Sequence, residues 1–192
     1  MKQLKNEIIL MPTLQRTLDQ LLASLAAGDI FVLKAAAGSG RTTVLRRLHA
    51  QAGGVFIGIR DVIHSLAGRD PFSLEEAFLS TIERALDGNN LVIVDDLHLV
   101  SNVVNNFRAV RQHLLDAALT SIMGDAAAWG KKLVFGVENE IPWPVRRRAH
   151  VSEIETLSRE DFECILRELL QERGQKSVDA RQIQRFAPKL TA

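Results

Sequence analysis

A three-layer α/β fold around a mainly parallel, five-stranded sheet is what this sequence predicts, on three observations. Five short runs, IFVLK, VFIGI, LVIVD, KLVFGV and VSEI, are apolar, rich in Val, Ile or Phe, and bounded by polar or glycine punctuation. Segments with helical spacing lie between them, and strands apolar on both faces that alternate with amphipathic helices require right-handed crossovers, which place helices on each face of the sheet. With 192 residues and 46% hydrophobic content, the chain can also bury one substantial core.

Along the chain, Leu14, Leu18, Leu21, Leu22 and Leu25 stripe one face of a first helix that is predicted to stop at Gly28. Ser73 with Glu76 three residues later reads as a capping box, opening a helix whose inner face is Leu74, Ala77, Phe78, Ile82 and Ala85. Ser158 with Asp161 reads as a second box, ahead of a stripe of Phe162, Ile165, Leu166, Leu169 and Leu170 that runs out near Gly174. The last stretch, SVDARQIQRFAPKLTA, restarts a helical pattern and is expected to begin a further element that stops short of a complete domain.

Composition narrows the function classes. Lys+Arg 24 against Asp+Glu 23 gives a formal net charge of +1, so a polyanion partner has to be argued from a local cluster, and no basic stripe with aromatic interleaving is visible. Nucleic acid is therefore a disfavoured partner. Cys164 is the only cysteine, which excludes an intrachain disulfide and a Cys/His zinc set. The histidines, His49, His64, His98, His113 and His150, are scattered and read as packing or surface residues. The apolar run near the N-terminus is short and broken by charge, unlike a signal segment or a membrane span, so a cytoplasmic protein is expected.

Immediately after the first strand comes AAAGSGRTT, residues 35 to 43, leading into a helix with Val44, Leu45 and Leu48. Strand, glycine turn and helix are the context in which backbone N–H groups close around phosphates at a helix N-terminus. Ala37, Gly38, Ser39, Gly40, Arg41, Thr42 and Thr43 are the candidate nucleotide-binding residues. Against G-x-x-x-x-G-K-[ST], Gly40 and Thr42 match, whereas Ala35 stands at the first glycine and Arg41 at the lysine. Guanidinium is larger, planar and differently directed from an ammonium, so Arg41 is expected to meet phosphate in a shifted geometry. A plain turn between strand and helix is the competing interpretation of the segment.

That alternative weakens at LVIVDDLHLV, where an apolar strand ends in Asp95 and Asp96. In a phosphate-loop enzyme the first carboxylate, with the loop hydroxyl of Thr42, holds Mg2+, and the second polarises the attacking water. These features together resemble the AAA (AAA+) ATPases from about residue 29 onward. FVLKAAAGSGRTT is similar to the family's strand and G-P-P-G-T-G-K-T loop, and GIRDVIHSLAGRDPF to LVIVDDLHLV resembles the stretch leading to its acidic strand. LVFGVEN resembles the sensor strand, with Asn139 at the asparagine position. IPWPVRRRAH resembles the second region of homology, in particular that of the katanin, spastin and endosomal-sorting ATPases.

The resemblance implies a P-loop nucleotide-binding domain over residues 1–155 and the beginning of a helical lid over 156–192. It also implies ATP and Mg2+ as ligands, a homo- or hetero-oligomeric ring, and a protein complex as the object of remodelling. Asp96, Asn139, Arg147 and Arg148 take catalytic positions, the two arginines reaching a neighbouring subunit's phosphate, with Arg146 beside them; Asp95 and Thr42 take the metal positions. A solvated basic turn is the competing interpretation of the arginines. The chain departs from the family at Arg41, at Asp96, where most members carry glutamate, and at Leu66, where the pore loop carries an aromatic residue two positions before a glycine. Asp95-Asp96 is nonetheless similar to the arrangement in bacterial replication initiators. A nucleotide-gated switch or DNA-acting ATPase of initiator, helicase-loader or STAND type, and a non-hydrolysing structural subunit, stand as alternatives to a remodelling ATPase.

Overall fold

The computed structural model describes residues 10–70, 73–106 and 109–172. Among these, residues 17–154 form one compact unit and residues 10–16 with 155–172 form another. The strands are β1 (Ile30–Lys34), β2 (Val55–Ile57), β3 (Leu91–Val94), β4 (Lys132–Val137) and β5 (His150–Glu153), and the helices are α1 (Pro12–Ser24), α2 (Arg41–Ala52), α3 (Ile59–Ser65), α4 (Leu74–Gly88), α5 (Leu97–Asn106), α6 (Ala109–Ala128), α7 (Trp143–Arg148) and α8 (Arg159–Glu172). One five-stranded sheet runs β2-β3-β4-β1-β5, with every neighbouring pair parallel. The predicted α/β class and parallel sheet are observed. No helix among the described residues is long and apolar enough to cross a membrane.

Alternation along the strands sorts the core into two layers. Val32, Val92, Val94, Leu133 and Phe135 join a cluster with Phe78 and Ile82 of α4 and Leu119 and Ile122 of α6. Positions between them face the other way, against α2, since a Cβ built at Gly136 would stand 2.7 Å from Leu45 Cδ1. Burying a side chain of this size stabilises by about 1.5–3 kcal/mol relative to leaving it exposed. The central strands are lined with such residues, so their C-terminal ends form a fixed frame for polar groups. Asp95 leaves β3 within that frame, its N–H donating to Ile57 O at 2.9 Å.

Local outcomes differ from the sequence expectations in instructive ways. α1 ends at Ser24 instead of Gly28, where the chain tightens into turns, the Ala26 N–H donating to Ala23 O at 3.3 Å and the Ala27 N–H to Ser24 O at 2.8 Å. Strand VFIGI shortens to Val55–Ile57 because Gly58 already opens α3, its N–H donating to the Asp61 carboxylate at 2.8 Å. The Ser73 box does not form: Ser73 makes no side-chain cap, and Glu76 points outward to Arg69 at 3.8 Å. The Ser158 box forms fully. Asp161 accepts from the Ser158 N–H at 2.6 Å and hydroxyl at 2.7 Å, and within the same unit from the Thr13 N–H at 2.8 Å and hydroxyl at 2.6 Å. Burial opposes ionisation of Asp161, but these donors outweigh it and hold the carboxyl below its usual range.

Phe162, Ile165 and Leu166 are half-buried on α8, while the helical pattern in SVDARQIQRFAPKLTA lies outside the described residues. Leu66, the pore-loop candidate, is the half-buried C-cap of α3. The prolines ahead of the arginines belong to a helix start. Pro142 is the N-cap and Pro144 sits in the first turn of α7, where a missing N–H has no intrahelical partner to lose.

Candidate functional site

The loop after β1 is tied to the sheet at its start and open at its centre. Ala35 N–H donates to Val137 O at 3.1 Å, and Ser39 closes a turn on Ala36 O through both its N–H (3.2 Å) and its hydroxyl (2.6 Å). Gly38 (φ 77) and Gly40 (φ 93) take the left-handed backbone that a Cβ disfavours, and this turns the chain into α2. Gly40 is the N-cap, so no side chain covers the first-turn donors of Arg41, Thr42 and Thr43. Ala36, Ala37, Gly38, Gly40, Arg41, Thr42 and Thr43 line a hollow of about 270 Å³ at this helix start. A helix start whose first-turn amides meet no side-chain cap among the described residues has the chemistry to receive an anion.

Arg41 does not point into that hollow alone. Its Nε donates to Asp95 Oδ1 at 3.0 Å and its Nη2 to Asp96 Oδ1, while the Thr42 hydroxyl donates to Asp95 Oδ2 at 2.6 Å. Arg41 is buried, and the Asp95 side chain is only 2% exposed. Asp96 holds a left-handed backbone at φ 61, a strained conformation for a residue other than glycine, and its N–H donates to Asp95 Oδ1 at 2.9 Å. Two carboxylates from one strand end thus face one guanidinium from the loop. The sequence expectation that Arg41 meets phosphate in a shifted geometry becomes specific: its guanidinium lies on the acidic pair.

Gly136 makes this possible and was not singled out in the sequence. Val94 pairs with Phe135, which sets Asp95 opposite Gly136. A Cβ there would stand 2.5 Å from Asp95 Oδ1 and 3.3 Å from Arg41 Nε, so only glycine leaves room for the ion pair. A glycine inside the apolar run KLVFGV was the available signal, since such a residue in a strand marks close approach of another group.

Asn139 is placed elsewhere. It is exposed after β4 and, with His98, Ser101, Asp116, Glu138 and Trp143, lines a second cavity of about 360 Å³. His98 is buried there, with Nε2 at 3.3 Å from Glu138 Oε2. Burial first, and then the Arg41 charge, lower its pKa against the pull of Asp96, Glu138 and Asp95. His98 Nδ1 is buried without a hydrogen-bond partner among the described residues. Arg146, Arg147 and Arg148 are exposed on α7, with the Arg147 guanidinium 4.8 Å from the Trp143 ring centroid.

A divalent cation is what Thr42 and Asp95 would be expected to hold, and their oxygens are the right chemistry for it. With Arg41 seated the fit fails: each Asp95 oxygen already accepts a donor, and a cation at Oδ1 would share that atom with a guanidinium.

No family model matches this chain, and no curated protein does. Among solved structures 234 chains match, one of them AMPPCP-bound DnaA from Aquifex aeolicus, with a TM-score of 0.61 and 14% identity over 93% of this chain. The fold is like that of this DnaA structure. This chain spans 57% of the DnaA structure's length. In this fold the hollow at α2 and the acidic end of β3 lie at the C-terminal ends of parallel strands, where doubly wound sheets bind their ligands.

Proposed function

We propose that this chain is a nucleotide-binding domain that acts as a nucleotide-gated switch, with hydrolysis restrained by Arg41. One observation carries this: the guanidinium is bonded to both carboxylates that hydrolysis would need free. The backbone donors of Gly38 to Thr43 receive the phosphates of ATP or ADP, and the Thr42 and Thr43 hydroxyls flank them. Asp96, held against Arg41, is not free to take a proton from water. The likeness to a DnaA structure that holds AMPPCP supports a nucleotide in the hollow.

Arg147 and Arg148, exposed on α7 with Arg146, are available to a second chain's nucleotide, which supports an oligomer in which they act in trans. A remodelled protein complex is the second interpretation, favoured by the same exposed arginines. Calorimetry and a turnover assay on this chain test the main proposal. ATP or ADP should bind with a Kd well below about 1 mM, the level at which binding free energy is only about −4 kcal/mol. Turnover should be slow and should rise in Arg41→Lys. Absence of binding by both nucleotides contradicts the proposal, as does turnover that falls in Arg41→Lys.

A further inference from the structure

A guanidinium stands where a divalent cation would otherwise neutralise the acidic strand end. Asp95 Oδ1 accepts from Arg41 Nε at 3.0 Å and from the Asp96 N–H at 2.9 Å, and Asp95 Oδ2 accepts from the Thr42 hydroxyl at 2.6 Å. Asp96 Oδ1 accepts from Arg41 Nη2. The seat is closed around the guanidinium, whose side chain is 10% exposed, and its floor is Gly136, where a Cβ would stand 3.3 Å from Arg41 Nε. Leaving it would strip a buried carboxylate of its counter-charge, which is strongly unfavourable.

We propose that Arg41 takes the place of the divalent cation, and that the loop binds a metal-free nucleoside diphosphate. This rests on the nucleotide-binding proposal above and adds which nucleotide is taken and with what counter-charge. Loop amides and the helix start serve the α- and β-phosphates, whereas the charge at position 41 ordinarily reaches the β- and γ-phosphates. That charge is held by Asp95 and Asp96. A γ-phosphate would lie beyond the loop amides and find neither that charge free nor a cation. A diphosphate ends before it.

The experiment is calorimetry of ADP and ATP binding to the whole chain, in EDTA and in excess Mg2+. ADP affinity should differ less than about twofold between the two buffers, and ADP should bind at least about tenfold more tightly than ATP in EDTA. In Arg41→Lys a single point charge cannot bridge both acids, so Mg2+ should tighten ATP binding about tenfold. Gly136→Ala crowds the seat without touching the loop backbone and should gain the same Mg2+ dependence. Wild-type affinity that rises about tenfold with Mg2+ would overturn this inference and leave the nucleotide-binding proposal standing. So would an Arg41→Lys chain as indifferent to Mg2+ as the wild type. No binding of either nucleotide in either buffer would overturn both.

Discussion

Two sets of arginines in this chain look alike in sequence, as basic residues beside a presumed phosphate, and differ in every physical respect. Arg41 is buried, forked between Asp95 and Asp96, and floored by a glycine. Arg146, Arg147 and Arg148 stand exposed on α7, and Arg147 lies over Trp143. A buried guanidinium must find its anion within its own fold, because an unpaired one cannot stay there. An exposed one is free to find its anion on another molecule. Burial, more than motif position, separates a structural cation from a recognition cation.

The largest effect should come from removing the buried member. Arg41→Ala leaves Asp95 without its counter-charge and should destabilise the chain by about 3–5 kcal/mol, the usual consequence of breaking a buried ion pair on one side. Arg147→Ala should change stability by about 0.5 kcal/mol or less, as exposed substitutions do. Chemical denaturation measures both. Similar shifts for the two variants would erase the distinction between the arginine sets.

The same contrast between buried and exposed polar groups separates the two capping boxes. Asp161→Ala removes the acceptor of donors from Ser158 and Thr13 and should cost about 1–3 kcal/mol. Ser73→Ala removes no side-chain cap and should stay within about 0.5 kcal/mol. A larger loss at Ser73 than at Asp161, read from thermal unfolding, would reverse the assignment of the working cap.

A smaller effect tests the field of the seated guanidinium at a distance. His98 has its pKa lowered from 6.5 by burial and by Arg41, so the unfolded chain takes up this proton first as pH falls. The stability it contributes is complete above 6.5 and declines as pH drops below that value toward the folded pKa. In Arg41→Met one of the two depressing causes is gone while Asp96, Glu138 and Asp95 still pull upward. The His98 pKa, followed by NMR, should rise in that variant. An unmoved value would mean that the guanidinium is not seated beside it.

How much of this was legible depends on whether the signal was local. Apolar runs such as LVIVD declared the sheet because period and composition lie within a few residues, and the Gly38–Thr43 segment declared an anion site because its context is contiguous. Asp95 and Asp96 were legible as an acidic strand end. Where Arg41 goes was not: its partners are remote in sequence, and the seat exists only because β3 and β4 register Asp95 against Gly136. The helices α5 and α6 were also not delineated, since α6 carries apolar residues around much of its circumference and so lacks the one-sided stripe that marks an amphipathic helix. Ser73 and Ser158 show the same limit, for both precede an acid three residues on and only one acid is turned inward.

A double-mutant cycle between Arg41 and Asp95 addresses the seated guanidinium most directly, using Arg41→Met, Asp95→Asn and the double variant, with unfolding free energies from denaturant titration. Because the two side chains are bonded and buried, the single losses should exceed what the double variant shows, with a coupling of about 1–3 kcal/mol. Additivity within about 0.5 kcal/mol would contradict it, placing Arg41 outside the acidic pair and returning its charge to the phosphate hollow.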